Sequence, residues 1–220
     1  MNETVTVKQP RSITLHGLIL PLTCLLIVRV TISVVLNYRD YIPPNFESDF
    51  LSGRQGYFWN GYHLAFYPHL ASGPVSLILG VILVNDRFRL QFPHWHRLLG
   101  RVQVICVLFL VVPSGLWMAF YAMTGTVAAI GFASLAVATG LCVTLGWRSA
   151  VLRQFAIHRR WMLRCFVLLC SAVVIRMIGG LATVTDFDAD WLYPLSAWAC
   201  WLIPLAVFEA RQRSRWLPRT

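Results

Sequence analysis

Charge is what this sequence has little of. Only 13% of its 220 residues are charged, where soluble domains average about 25%. Lysine is nearly missing, since of the 19 basic residues only Lys8 is a lysine, and the acids number nine. A chain that is 57% hydrophobic, with a mean hydropathy of +0.62, has more apolar surface than a soluble fold of this length can hide. Composition therefore excludes an ordinary soluble domain and points to an integral membrane protein. Other absences narrow the chemistry. There is no H-E-x-x-H, no G-x-S-x-G and no glycine-rich phosphate loop. No pair of intramembrane carboxylates is present, which argues against a cation-coupled transporter. No C-x-x-C occurs, and all six cysteines lie inside apolar runs, where they read as small buried hydrophobes.

What the sequence has instead is long apolar runs. A spanning helix needs about 20 apolar residues, and six runs qualify, at about 13–36, 64–84, 98–121, 126–147, 161–184 and 191–210. The expected fold is all-α, a polytopic bundle of six transmembrane helices forming one membrane domain. The first run has no A-x-A cleavage site after it and reads as a retained helix. Pro74 and Pro113 are expected to kink the second and third spans. Gly125, Ala129, Ala133, Ala136 and Gly140 are expected to let a neighbour approach the fourth.

The net charge of +10 has a topological explanation. Lys8 and Arg11, then Arg87, Arg89 and Arg97, then Arg148, Arg153, Arg159 and Arg160, then Arg211, Arg213, Arg215 and Arg219 all fall on one side of a six-span chain. Asp186, Asp188 and Asp190 fall on the other. By the positive-inside rule both termini are cytoplasmic in a bacterial inner membrane, and no nucleic-acid partner is implied. Residues 37–63 form the one sizeable outer connection, with Tyr57, Trp59 and Tyr62 expected at the headgroup level.

Two groups of residues invite a chemical reading. "PHWHRLLGR" (93–101) and "AIHRRWMLR" (156–164) place His96 and His158 two or three residues before spans three and five, with His16 near the same level in span one. Facing histidines at one depth are what a bis-histidine haem b requires. The flanking Arg97, Arg101, Arg159, Arg160 and Arg164 suit haem propionates, phosphates or lipid headgroups. The alternative is a plain interfacial role, with Arg101 and Arg164 pairing Glu209 or Asp86. The second group lies in the outer half. Arg29, His69 and Arg176 each stand roughly 8–12 Å below the outer surface, with no carboxylate at their level. They mark a pocket for a quinone, an anionic lipid or a small carboxylate, unless the two arginines snorkel to the headgroups. An outer haem would need Met123 or another non-histidine beside His69.

The pieces "HLASGPVSLILG", "HRLLGR", "HRRWMLRCF" and "YPLSAWACWLIPLAVFE", in that order, resemble the bacterial membrane-protein family called domain of unknown function 2306, over roughly residues 60–210. That resemblance implies a multi-span helical protein with His69, His96 and His158 at motif positions, and it implies no particular activity. The functional expectation is a multi-pass membrane protein binding a ligand or cofactor between its helices. A haem- or quinone-linked redox protein and a transporter or accessory subunit for an anionic small molecule or lipid stand as alternatives, with enzymatic activity left open.

Overall fold

Lipid offers a backbone no hydrogen-bond partners, so each apolar run closes its own ladder as a helix. The computed structural model describes residues 15–48, 50–122, 125–187 and 189–214, with side chains described from 22 to 213. The fold is an all-α bundle, with no β-strand among the described residues. Six helices are long and apolar enough to cross a membrane: span one Leu22–Asp40, span two Gln55–Val84, span three Pro93–Ala119, span four Thr126–Val151, span five Phe155–Val184 and span six Leu192–Arg213. The helix that carries span one begins at Leu15.

Spans three and five start several residues before their apolar runs do. Pro93 sits in the first turn of span three, where its missing N–H is no loss. Arginine and histidine continue a helix as readily as they end one, so His96 and His158 lie inside their helices rather than ahead of them.

Spans two, three, four and five form a closed ring, each packing on the next and span five returning to span two. Span six lies against spans four and five, and span one against spans two and five. Glycines set the closest approaches. A Cβ on Gly80 would stand 2.5 Å from the Phe166 ring, and one on Gly146 2.6 Å from Met162 Sδ. A Cβ on Gly131 would stand 3.0 Å from Trp198 Nε1, whose N–H donates to the Val127 carbonyl at 3.1 Å. In span four the buried small-residue face is therefore Ala128, Gly131, Thr139, Cys142, Gly146 and Ser149. Of the expected stripe, Ala136 is buried too, and Gly140 meets Val112 at an ordinary 3.5 Å.

The prolines are accommodated within the spans. The helix His63–Val84 runs through both Pro68 and Pro74. Pro74 has no N–H to give the Leu70 carbonyl, and the Tyr38 hydroxyl donates to that carbonyl from span one. In span three a π turn at Val107–Val111 precedes Pro113. Ser114, just after it, donates its hydroxyl back to the Leu110 carbonyl.

The connection between spans one and two folds inward. Leu51, Phe58, Tyr62 and Phe66 form a second core, joined by Tyr41, Phe46, Tyr57 and Tyr121. Trp59 is exposed, whereas Tyr62 is only 1% exposed and packs inward. The cause is a kink at Asn60 and Gly61, where Gly61 takes φ 108°. That kink turns Tyr62 toward Phe66, and Phe58 packs on the same ring.

Candidate functional site

Beneath this aromatic cap is a cavity of about 500 Å³. All six spans contribute to its wall, which is mostly aliphatic and aromatic. Three nitrogen-rich side chains line it: His69 from span two, Arg176 from span five and Arg54 from the cap. No aspartate or glutamate lines it among the described residues.

His69 is held in one tautomer. Its Nδ1 lies 3.0 Å from Ser114 Oγ. Ser114 has already given its proton to the Leu110 carbonyl, so Nδ1–H donates to the hydroxyl oxygen and Nε2 is left as an acceptor. Gly115 makes room for the ring, since a Cβ there would stand 3.5 Å from His69 Cε1.

Among the described residues Arg176 makes one hydrogen bond, from Nη1 to the Ala172 carbonyl at 2.8 Å. Ala172 is one turn nearer the middle of span five. The guanidinium thus turns back along its own helix toward the middle of span five, while the residue as a whole stays exposed. Tyr38 lies within electrostatic reach of it.

Arg54 is 4% exposed. Its Nε donates to the Phe50 carbonyl at 2.7 Å, and Nη1 to Tyr57 Oη and the Tyr121 carbonyl, each at 3.1 Å. The guanidinium carbon stands 4.8 Å from the Phe50 ring centre and 5.4 Å from that of Tyr62. It is neutralised by dipoles and ring faces, and no acid pairs with it among the described residues.

Of the three outer candidates, then, His69 and Arg176 share one cavity. Arg29 does not: it is exposed on span one, while its neighbours Val30 and Thr31 line the wall. Arg54 was not singled out from the sequence, where it looks like one charge in a polar connection. The signal available was its neighbourhood, with Phe50, Tyr57, Phe58 and Tyr62 within eight residues.

The opposite end of the bundle holds the other candidates. Spans three and five are diagonal in the ring, yet His96 is within electrostatic reach of His158. His158 Nδ1–H donates to the Gly146 carbonyl at 2.9 Å. His96 Nδ1 is buried and has no partner among the described residues. Arg159 Nη2 pairs with Asp86 Oδ2 at 2.7 Å, and Arg89 with Oδ1 of the same carboxylate at 3.2 Å. Arg164 grips Glu209 with both sides of its fork, at 2.5 and 3.0 Å, and stacks on Trp161 at 4.7 Å. Arg97 and Arg101 are exposed. No cluster of three or more metal-ligating side chains occurs among the described residues. His16's side chain, Met123 and the terminal Lys8, Arg11, Arg215 and Arg219 lie outside the described residues.

A family profile described as predicted membrane protein, domain of unknown function 2306, matches residues 66–210. The chain belongs to this family. No curated protein and no solved structure gives a match. The segment shared with the 2306 family contains spans three to five whole, most of span two and nearly all of span six. It takes in His69, His96, His158 and Arg176. Span one, the aromatic cap and Arg54 lie before it.

Proposed function

We propose that this protein holds a small membrane-soluble molecule in the cavity between its six spans, with His69 and Arg176 as polar contacts. The arrangement that carries this reading is the pairing of a histidine held by Ser114 with an arginine that turns back along its own helix, both lining one largely apolar space of about 500 Å³. That volume falls within the roughly 300–1,000 Å³ of typical small-molecule sites, and a few convergent polar groups in an apolar wall are their usual chemistry. A cation in such a wall is costly unless something offsets its charge. The setting we propose is a bacterial inner membrane with both chain ends cytoplasmic. The arginine clusters at the end opposite the cap support it. Within this reading the protein is a binding protein, a transporter or an accessory subunit.

The test is the set of molecules that travel with the protein. Purified in mild detergent and extracted for mass spectrometry, the wild type should release a compound that Arg176→Leu and His69→Ala each lose by more than half, while both variants keep the wild-type melting profile. Equal recovery from all three proteins would end the proposal.

A second reading is a redox protein with haem or quinone held by His96 and His158. It rests on His158, oriented by its bond to the Gly146 carbonyl, within electrostatic reach of His96 with its buried, unpartnered Nδ1. Protein from haem-replete cells should then show a Soret band that His158→Ala abolishes. A colourless wild type would remove the haem version.

A further inference from the structure

The cavity's charge points to what it binds. Two guanidinium groups, Arg54 and Arg176, open on it, and no carboxylate lines it among the described residues. Arg54 uses Nε and Nη1 on carbonyls and a phenol, and no bond is made by its Nη2 among the described residues. Arg176 uses a single N–H, on its own helix. Each therefore presents unpaired donors of a planar fork, the shape that suits a carboxylate or phosphate oxygen pair. A guanidinium on a largely apolar wall gains from an anion placed beside it. His69 adds an acceptor, its Nε2, which suits a hydroxyl or a shared proton better than a bare anion. The rest of the wall is chain-like apolar surface, with Val34, Leu77, Val112 and Leu135 from four different spans. Span one, the wall that contributes Val34, buries only Ile27 and Thr31 among its described side chains.

We infer that the ligand is a single-chain amphiphile with a monoanionic head, of the long-chain carboxylate class. The head sits between Arg54 and Arg176, and the chain lies along the apolar wall beside span one. This rests on the cavity reading above and deepens it. A space of about 500 Å³ suits one acyl chain with its head.

Native mass spectrometry of the full-length protein, with palmitate and hexadecanol as probes, tests this. The two share a chain and differ in head charge. The expected result is one palmitate bound per chain, at least about ten-fold tighter than hexadecanol, as loss of a charge-assisted contact implies. Arg176→Gln should weaken palmitate about ten-fold and leave hexadecanol unchanged. Because Arg176 bonds only its own helix, that variant should fold. Arg54→Gln should act in the same direction, and if it fails to fold, Arg176→Gln alone decides. Acetate, which has the head without the chain, should not compete.

Equal binding of palmitate and hexadecanol would overturn the anionic head while leaving the cavity reading intact. Displacement of palmitate by phosphatidylglycerol at equal concentration would overturn the single chain in favour of a lipid headgroup. Failure of both probes, together with no co-purifying compound, would overturn the inference and the cavity reading together.

Discussion

Glycine 80 and glycine 146 show how little freedom individual side chains have in this bundle. Replacing Gly80 with leucine drives a branched chain into the Phe166 ring, and replacing Gly146 with valine drives one into Met162. Overpacking of this kind costs about 1–3 kcal/mol, so both variants should melt measurably lower in a detergent thermal-shift assay, Gly80→Leu by more because an aromatic ring yields less than a thioether. Gly100, with nothing near its missing Cβ, is the control and should tolerate alanine. The Arg164–Glu209 pair is the charged counterpart. Glu209→Gln keeps a hydrogen bond to the fork and should be mild, whereas Arg164→Leu strands a half-buried carboxylate and should destabilise by roughly 1–2 kcal/mol. An Arg164→Leu variant as stable as Glu209→Gln would mean the pair contributes little. Such residue-level facts were unevenly visible in the sequence. Arg164 with Glu209 was foreseeable, because both stand near one end of their spans. Arg29 and Arg176 looked equivalent because depth can be counted along a helix and facing cannot. Thr31, buried on the same face as Ile27, places Arg29 on the opposite side of the same turn.

At the scale of an element, the cap between spans one and two is the part that sequence patterning described least well. Its composition is that of an interfacial loop, rich in Tyr, Trp, Pro and acidic residues. Its folded form is a small aromatic core with a buried arginine at its centre, because the Asn60–Gly61 kink lets Phe58 and Tyr62 turn inward together. A kink made by two residues leaves no periodic trace. Two long-range bonds then tie the cap and the end of span one down, from Tyr38 to the carbonyl that Pro74 frees and from Tyr67 to the Tyr41 carbonyl. Truncating Tyr62 to alanine should cost about 3–5 kcal/mol and loosen the cap as a unit. In hydrogen exchange, amides 54–66 should then exchange faster while those of span four keep their rate. Faster exchange spread over all six spans would show the cap to be integral to the bundle rather than a separate layer over it.

For the whole molecule, the six apolar runs were legible because hydropathy and length alone decide which segments can cross a bilayer. Their order around the ring was not, since lipid-facing and core-facing residues are equally apolar and the small residues that mark contact faces occur on more than one stripe. The cavity was half legible: unpaired charges at membrane depth announced a site, and His69 with Arg176 do line one space. Its third polar group came from outside the spans. Topology gives a prediction at this scale. Cysteine introduced at Ser52 should react with a membrane-impermeant maleimide on intact cells, and cysteine at Arg211 only after the membrane is opened. The reverse pattern would invert the proposed orientation and place the cap on the cytoplasmic side.

The central claim is that the cavity is a binding site, and an experimental density map of the protein in lipid nanodiscs tests it most directly. The account predicts continuous non-protein density reaching from His69 and Arg176 along span one in the wild type, and its loss in Arg176→Leu with the six spans unmoved. A wild-type cavity that has collapsed, or that contains only isolated water-sized peaks, would contradict it.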